Sequence, residues 1–344
     1  MQHKFHLLNS PKYFSISEEY GLFGVSERNL NQLSNIWKGD IVFYYTARKV
    51  GLRTSGFIHG PFEVTSELFY NDKIVWAEDK RYPGKDKYPY RIKIEYLKEH
   101  ICLNPIPIEI FWDLKEEGKI KTVIDSSALI DKAVISLLEE EGILLLEALL
   151  QENSKSGEYT REYKSHSFQE ERVNLLQFKG DRIKEFIMEA YLEAYLLRNP
   201  KIIHNLSGFR KGLNQNYDYN ILNQVSTYIA GGAIDIVCLY KKKVLDMWLT
   251  INATVFELKK GVIDPFFVDQ LIRYIEWAVR LIPGAKHRMI KGILIGRDFG
   301  NQIEAKNELK KRIEDVKGLY SINCYTYSIK NDKLIFDPLE IRKC

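Results

Sequence analysis

Residues 234–239 read Ile-Asp-Ile-Val-Cys-Leu, an apolar run with one carboxylate set into it. Short β-branched apolar runs of this kind predict buried strands. Ala253–Lys259 (ATVFELK) repeats the pattern and places Glu257 and Lys259 two residues apart. The same reading predicts strands over Asp40–Thr46 after Lys38-Gly39, over Gly56–His59, Phe62–Ser66, Tyr90–Tyr96 and Gly292–Ile295, and near 321–327 and 333–336. Helical spacing predicts a helix over Asn29–Ile36 with Ser26 as N-cap, and one or two helices within Ser126–Leu150. Later helices are predicted over 181–198, from Pro265 to about Leu281, and over about 303–313. Gln151–Arg172 is polar and poor in aliphatics, so a linker is expected over 151–180, between domains at 1–150 and 181–344. No internal repeat is visible.

The carboxylates in the apolar runs carry the chemistry. A carboxylate inside a buried strand is costly unless it is paired or binds a metal. Strand side chains alternate faces, so Glu257 and Lys259 point the same way. If the two strands are neighbours, Asp235 and Glu257 meet. With the Leu258 carbonyl and waters they would form an oxygen shell suited to Mg2+ or Mn2+. Such an ion would polarise a phosphate and activate a water, while Lys259 stabilises developing negative charge. Gln270 and Tyr274, four apart on the helix after Pro265, share a face and could hydrogen-bond a phosphate or the metal-bound water. The plain alternative is that acidic and Glu-x-Lys positions arise by chance at strand ends. The order of the strands and the helix that follows weighs against it.

In that order the region resembles the PD-(D/E)XK nuclease superfamily, and more narrowly the C-terminal domain of NucS-type endonucleases, over roughly residues 181–300. The string EAYLEAYLLRNPKII is similar to that family's Glu-x-x-Leu-x-x-x-Leu-x-x-Asn-Pro helix. The resemblance implies an α-β-β-β-α-β core and puts Glu189 near the metal, with Glu193 as the alternative. Ala233 stands where the family often has Arg. Lys241, Lys242 and Lys243 suggest a longer hairpin with a basic tip, and Lys242 is a candidate phosphate contact.

The strings YFSISEEYGLFGVSERN, IWKGDIVFYY, GPFEVTSELFYNDKIVW and YPYRIKIEYL, in order over about residues 11–97, resemble EVE domains of the PUA-like superfamily, which are related to YTH domains. The resemblance implies a small curled β-barrel with flanking helices and an aromatic pocket for a modified base. Flipped bases need flat rings to stack on and a few polar groups for their edges. Trp37, Tyr44, Tyr45, Trp76 and Tyr82 are the candidate rings, Trp37 and Trp76 foremost, and Ser26, Asn29 and His59 the candidate polar partners; alternation puts Tyr44 and Tyr45 on opposite faces, so only one of them can line a pocket. Aromatic side chains in a small barrel also serve simply as core. Lys49, Arg53, Arg81 and Arg91 are candidate phosphate contacts. The expected fold is thus α/β and α+β: an EVE-like barrel followed by a nuclease core.

Charge adds a mild preference. Net charge over 344 residues is +4. Residues 1–100 carry 15 Lys+Arg against 12 Asp+Glu, 101–180 carry 9 against 15, and 181–344 carry 26 against 19. The positive segments are those assigned to nucleic acid. Four scattered cysteines show no zinc spacing and suggest reduced thiols in the cytoplasm. No secretory pattern or membrane-length apolar run is seen, so no membrane partner is expected. These readings converge on a metal-dependent DNA endonuclease directed by a modified base, of restriction or defence type, working as a homodimer. A repair nuclease for mismatched or branched DNA and a non-catalytic binder of modified RNA are the alternatives.

Overall fold

The computed structural model describes residues 4–9, 11–49, 52–97, 102, 104–120, 132–154, 163, 169–179, 185–208, 217–227, 232–245, 247–282, 285–299, 303–331 and 333–339. The chain divides into two compact units, Met1–Asn174 and Leu175–Cys344.

The first unit is a branched sheet. Its strands are β1 (Phe5–Asn9), β2 (Leu22–Val25), β3 (Ile41–Lys49), β4 (Leu52–Val64), β5 (Phe69–Tyr70), β6 (Glu78–Asp79), β7 (Tyr82–Asp86), β8 (Tyr90–Tyr96), β9 (Ile106–Pro107), β10 (Val134–Leu137) and β11 (Glu171–Arg172). The main path runs β10-β1-β3-β4-β8-β5-β11, with β2 added on β8 and β9 on β4, while β6 and β7 form a separate pair. β1 and β3 are parallel. Leu7, Phe43, Tyr45, Ile58 and Phe111 fill the core together with Leu145 and Leu149 from the Glu139–Glu152 helix.

Several expectations change here. Among the described residues the strand path is open, so the sheet is not the closed barrel that the resemblance implied. Val134–Leu137, expected to be helical, is a strand antiparallel to β1. Its partner lies about 130 residues earlier, beyond the reach of any local pattern. Residues 126–131 of the same expectation lie outside the described residues. The two strands expected over 56–66 are one continuous strand, β4. The helix after Ser26 is a 3-10 turn, Glu27–Asn29, followed by a short helix, Leu30–Leu33. Within the stretch read as a linker, β11 pairs with β5 of the first unit.

The second unit holds β12 (Phe178–Lys179), β13 (Glu185–Phe186), β14 (Tyr217–Thr227), β15 (Gly232–Val244), β16 (Met247–Leu258), β17 (Ile290–Gly296), β18 (Ser321–Lys330) and β19 (Lys333–Pro338). The sheet order is β14-β15-β16-β17-β18-β19, with β16, β17 and β18 parallel and the outer pairs antiparallel. The Glu189–Arg198 helix ends at Asn199, and Pro200 opens the next, Pro200–Ser207, where its missing N–H is not needed. The predicted helix over 181–198 therefore starts at Glu189, because β13 precedes it. The Phe266–Leu281 helix connects parallel β16 and β17 and lies tightly on the sheet at Gly292. There a Cβ would come within 2.9 Å of the Leu271 side chain. Two helices, three strands, a helix and a strand follow one another in this unit.

Candidate functional site

β15 and β16 pair antiparallel with Ile236 opposite Phe256, and one step along that register puts Asp235 across from Glu257. Both carboxylates are buried, Asp235 at 8% exposure and Glu257 at 1%. Asp235 Oδ2 accepts from the Leu258 N–H at 2.7 Å. Lys259 Nζ lies 2.5 Å from Glu257 Oε1 and 3.9 Å from Glu189 Oε1, as their shared face requires. Glu189, at the start of its helix, also accepts from the Lys260 N–H at 3.3 Å. Glu257 Oε2 is buried and has no hydrogen-bond partner.

The electrostatics follow from this crowding. Burial first, then the carboxylates of Glu257, Glu193 and Glu189, push the Asp235 carboxyl well above its usual range, with Lys259 opposing. Burial also raises Glu257 and Glu189, again against Lys259. For Lys259, burial favours the neutral amine. The carboxylates of Glu257, Glu189 and Asp235 outweigh that and hold it above the ordinary lysine value. The cluster thus carries more acidic groups than the single ammonium can balance, the condition in which a cation would be favoured.

Gln224 is absent from the sequence-derived set. It sits on β14 between the pairs Asn223–Ile236 and Val225–Ile234, hence opposite Asp235. Its backbone is left-handed, φ 50°. Its Nε2 donates to Glu193 Oε2 at 2.7 Å and to Asp235 Oδ1 at 3.3 Å. Nothing local in the sequence marks a glutamine for this. The link exists only because the fold brings Gln224 on β14 within reach of both Glu193 on the Glu189–Arg198 helix and Asp235 on β15. Glu193, kept as the alternative to Glu189, is 1% exposed, so both glutamates join the cluster, one on each side.

Gln270 and Tyr274 differ from expectation. Gln270 Nε2 donates to Tyr274 Oη at 2.7 Å, and that hydroxyl donates to the Ala233 carbonyl at 3.1 Å. Tyr274 is 1% exposed, and burial pushes its hydroxyl up to about 12. The pair braces the strand two residues before Asp235.

Two carboxylates and a backbone carbonyl suit a magnesium-type ion, which keeps several waters and takes ligands from its substrate. The unpartnered Glu257 oxygen beside Asp235 fits that donor set. Among the described residues no group of three or more His, Cys, Asp or Glu side chains is arranged to hold a metal by itself.

In the first unit, Trp76 and Tyr44 are the expected rings that enter an aromatic cluster. Its Nε1–H donates to Ser17 Oγ at 3.1 Å, and Ser17 Oγ lies 3.3 Å from Tyr44 Oη. Phe14 packs on Tyr44 and on His59 at ring-centre distances of 4.8 and 4.1 Å. His59 Nε2 meets Thr46 Oγ1 at 2.8 Å, and burial lowers its pKa to about 4. Tyr45 faces the other way and is core, so it is not a cage residue. Trp37 is half-buried in a turn where its N–H donates to Asp40 at 2.8 Å. Ser26 precedes the Glu27–Asn29 turn without a side-chain cap bond, and Asn29 precedes the Leu30–Leu33 helix. Lys242 is exposed on β15.

Arg91 is no phosphate contact. It is fully buried, pairs with Asp86 at 3.3 Å, bonds Tyr88 O, Asn71 Oδ1 and Lys73 O, and lies 5.1 Å from the Trp76 ring centre. Arg81 engages Asp79 through two bonds. Lys49 and Arg53 lie outside the described side chains. A buried chain also links Asp40, His6 and Ser136, each step 3.3 Å. All three are under a tenth exposed, so it is structural despite its Ser-His-Asp composition.

No family model matches this chain. The UPF0310 protein PH1033 of Pyrococcus horikoshii is 30% identical over 88 residues, which make up 25% of this chain and 59% of that protein. The chain therefore spans less than two thirds of that relative. Among solved structures, the MmI1 YTH domain is similar with TM-score 0.30 and 14% identity, covering 44% of this chain and 98% of that one. The Pho92 YTH domain in complex with m6A gives TM-score 0.30 and 16% identity, over 45% of this chain and 88% of that one. Human THYN1 in complex with 5-methylcytosine containing DNA gives 0.28 and 12%, over 42% and 97%. No helix of the described residues is long and apolar enough to cross a membrane.

Proposed function

We propose that the second unit hydrolyses phosphodiester bonds of DNA at the Asp235–Glu257 centre and that the first unit binds the same nucleic acid, selecting a modified base. One observation carries the reading: two buried carboxylates on adjacent strands, one with an unpartnered oxygen, beside a lysine two residues on. Asp235, Glu257 and the Leu258 carbonyl would hold Mg2+ or Mn2+, which when bound polarises the phosphate and acidifies a water. Lys259, kept protonated by the surrounding carboxylates, stabilises charge gathering on the phosphate oxygens. Gln224 orients Asp235 and Glu193, and Tyr274 fixes the strand before Asp235. The Phe14–Tyr44–His59–Trp76 cluster supplies flat rings and polar edges suited to a base. Cutting both strands calls for two copies of the centre, hence a homodimer, and we place this activity in the cytoplasm.

A second reading is a non-catalytic binder of modified RNA. The Lys259–Glu257 ion pair favours it, since that pair already neutralises one carboxylate. The test is a cleavage assay with Mg2+ or Mn2+ on one DNA sequence prepared unmodified, cytosine-methylated and mismatched, beside Asp235→Ala. Cleavage of modified DNA alone, lost in the variant, supports the proposal. Cleavage of mismatched DNA regardless of modification assigns the centre to repair. No cleavage, with binding to modified RNA retained, leaves the binder.

A further inference from the structure

The strands that carry Asp235 and Glu257 run on into a hairpin end at Val244 and Met247. Among the described residues, β14 on one side reaches to Tyr217, opposite Lys242. On the other side, β17 begins to pair at Ala253. Among the described residues the last two pairs, Lys243–Trp248 and Val244–Met247, are therefore a two-stranded ribbon end next to Leu245, whose φ is 56°.

Register decides what the ribbon displays. Lys242 pairs with Leu249 and Val244 with Met247, so these four side chains share one face. Val244 is 41% exposed, Leu245 84%, Met247 56% and Leu249 45%. Lys242 and Lys243 are exposed beside them. An apolar face in water, at a hairpin end with no further strand beside it among the described residues, is a surface that gains by being covered.

We propose that this hairpin tip is a second contact to duplex DNA, with Lys242 and Lys243 on phosphates and Leu245 and Met247 set against a base step as an apolar wedge. The inference rests on the reading of Asp235 and Glu257 as a DNA-cleaving centre. Charge complementarity favours this occupant, because the two exposed lysines of β15 adjoin the apolar tip and outnumber the one acid between β15 and β16 in the sequence, Asp246. A second copy is disfavoured, since tip-to-tip docking would bring two exposed Lys242–Lys243 pairs together. Spacing agrees as well. Met247 lies ten residues from Glu257 along β16. At about 3.3 Å per residue that is about 33 Å, close to the roughly 34 Å of one turn of B-DNA. The tip would then meet the same face of the duplex about one turn from the cut.

The test measures binding of the full-length chain, in an Asp235→Asn background, to a labelled duplex of about three turns across a salt series. Two double variants are compared: Lys242→Gln with Lys243→Gln, and Leu245→Ser with Met247→Ser. All four positions are exposed, and melting curves confirm that each variant is folded. The lysine pair should flatten the salt dependence by about two counterions, near one per phosphate contact. The Leu245/Met247 pair should weaken binding several-fold with the salt slope unchanged, and should abolish fluorescence enhancement of a 2-aminopurine placed one turn from the cleavage position. Wild-type binding by both variants overturns the proposal. So does loss of self-association, or of binding to anionic vesicles, as the only effect of the Leu245/Met247 change. If the unmutated centre fails to cut while these binding effects hold, the cleavage reading falls and the hairpin contact stands.

Discussion

Replacing Asp235 by Asn should stabilise the metal-free protein while ending the proposed cleavage. Asn keeps an oxygen to accept the Leu258 N–H, now bonded at 2.7 Å, and hardly changes volume. It removes one carboxylate from a set that includes Glu257, Glu193 and Glu189 against the one ammonium of Lys259. Burial and these neighbours raise the Asp235 pKa, so the folded state binds its proton more readily than the unfolded chain does. Its stabilising contribution is then complete below the unfolded value of about 3.9 and is lost as pH rises through the higher folded value. Asn does not titrate, so its advantage should be greatest at alkaline pH. A single stabilising change is commonly worth about 0.5–2 kcal/mol. For a unit of this size that is a rise of roughly 1–8 °C in Tm at pH 8, shrinking on acidification. Manganese at about 100 times its Kd should add about 2.7 kcal/mol to the wild-type protein and nothing to the variant. Cleavage should fall on the order of 10³-fold. Calorimetry at pH 8 and 5.5, with and without metal, reads all of this. An unchanged or lower Tm at pH 8, or a gain that is the same at both pH values, would refute the reasoning.

Other perturbations separate positioning from packing. Gln224→Gly relieves a left-handed backbone worth about 1–2 kcal/mol but loses two bonds to carboxylates, so stability should shift by less than about 1 kcal/mol. Its rate should drop about 10-fold with the acid limb of the pH profile moved upward, on the scale of losing one orienting partner; a profile that overlays wild type would exclude the orienting role. Arg91→Met strands the buried Asp86 carboxylate and should cost about 3–5 kcal/mol in urea unfolding, whereas a loss under about 1 would show that Arg91 is not an anchor. His59, with its pKa lowered to about 4, favours folding only when neutral, so stability should fall as pH drops from about 6.5 toward 4, by on the order of 3 kcal/mol. His59→Asn should flatten that fall, and an equally steep loss in the variant would place its origin elsewhere.

The pattern of buried carboxylates was readable because it is local. Asp235 and Glu257 each interrupt an apolar strand, where burial makes a carboxylate costly, and Lys259 follows Glu257 at strand spacing. Their neighbouring strands and shared face were expected, and the register agrees. The helix from Pro265 was equally legible from its apolar stripe, but Tyr274's partner was not. Whether a hydroxyl meets a ligand or the Ala233 carbonyl depends on how closely the helix lies on the sheet, and Gly292 sets that approach.

The sequence by itself determined which segments are apolar strands, which helices open and close at Pro265 and Pro200, and which charged side chains must be buried if those strands are. It could do so because alternation and capping are properties of adjacent residues. Tertiary structure alone decided the rest: that Val134–Leu137 pairs with β1, that Tyr45 is core while Tyr44 joins the Trp76 cluster, that Arg91 is an internal anchor, and that Gln224 lies opposite Asp235. Each of these depends on a contact between residues far apart in the chain, whose partners are fixed only when the sheet closes its register.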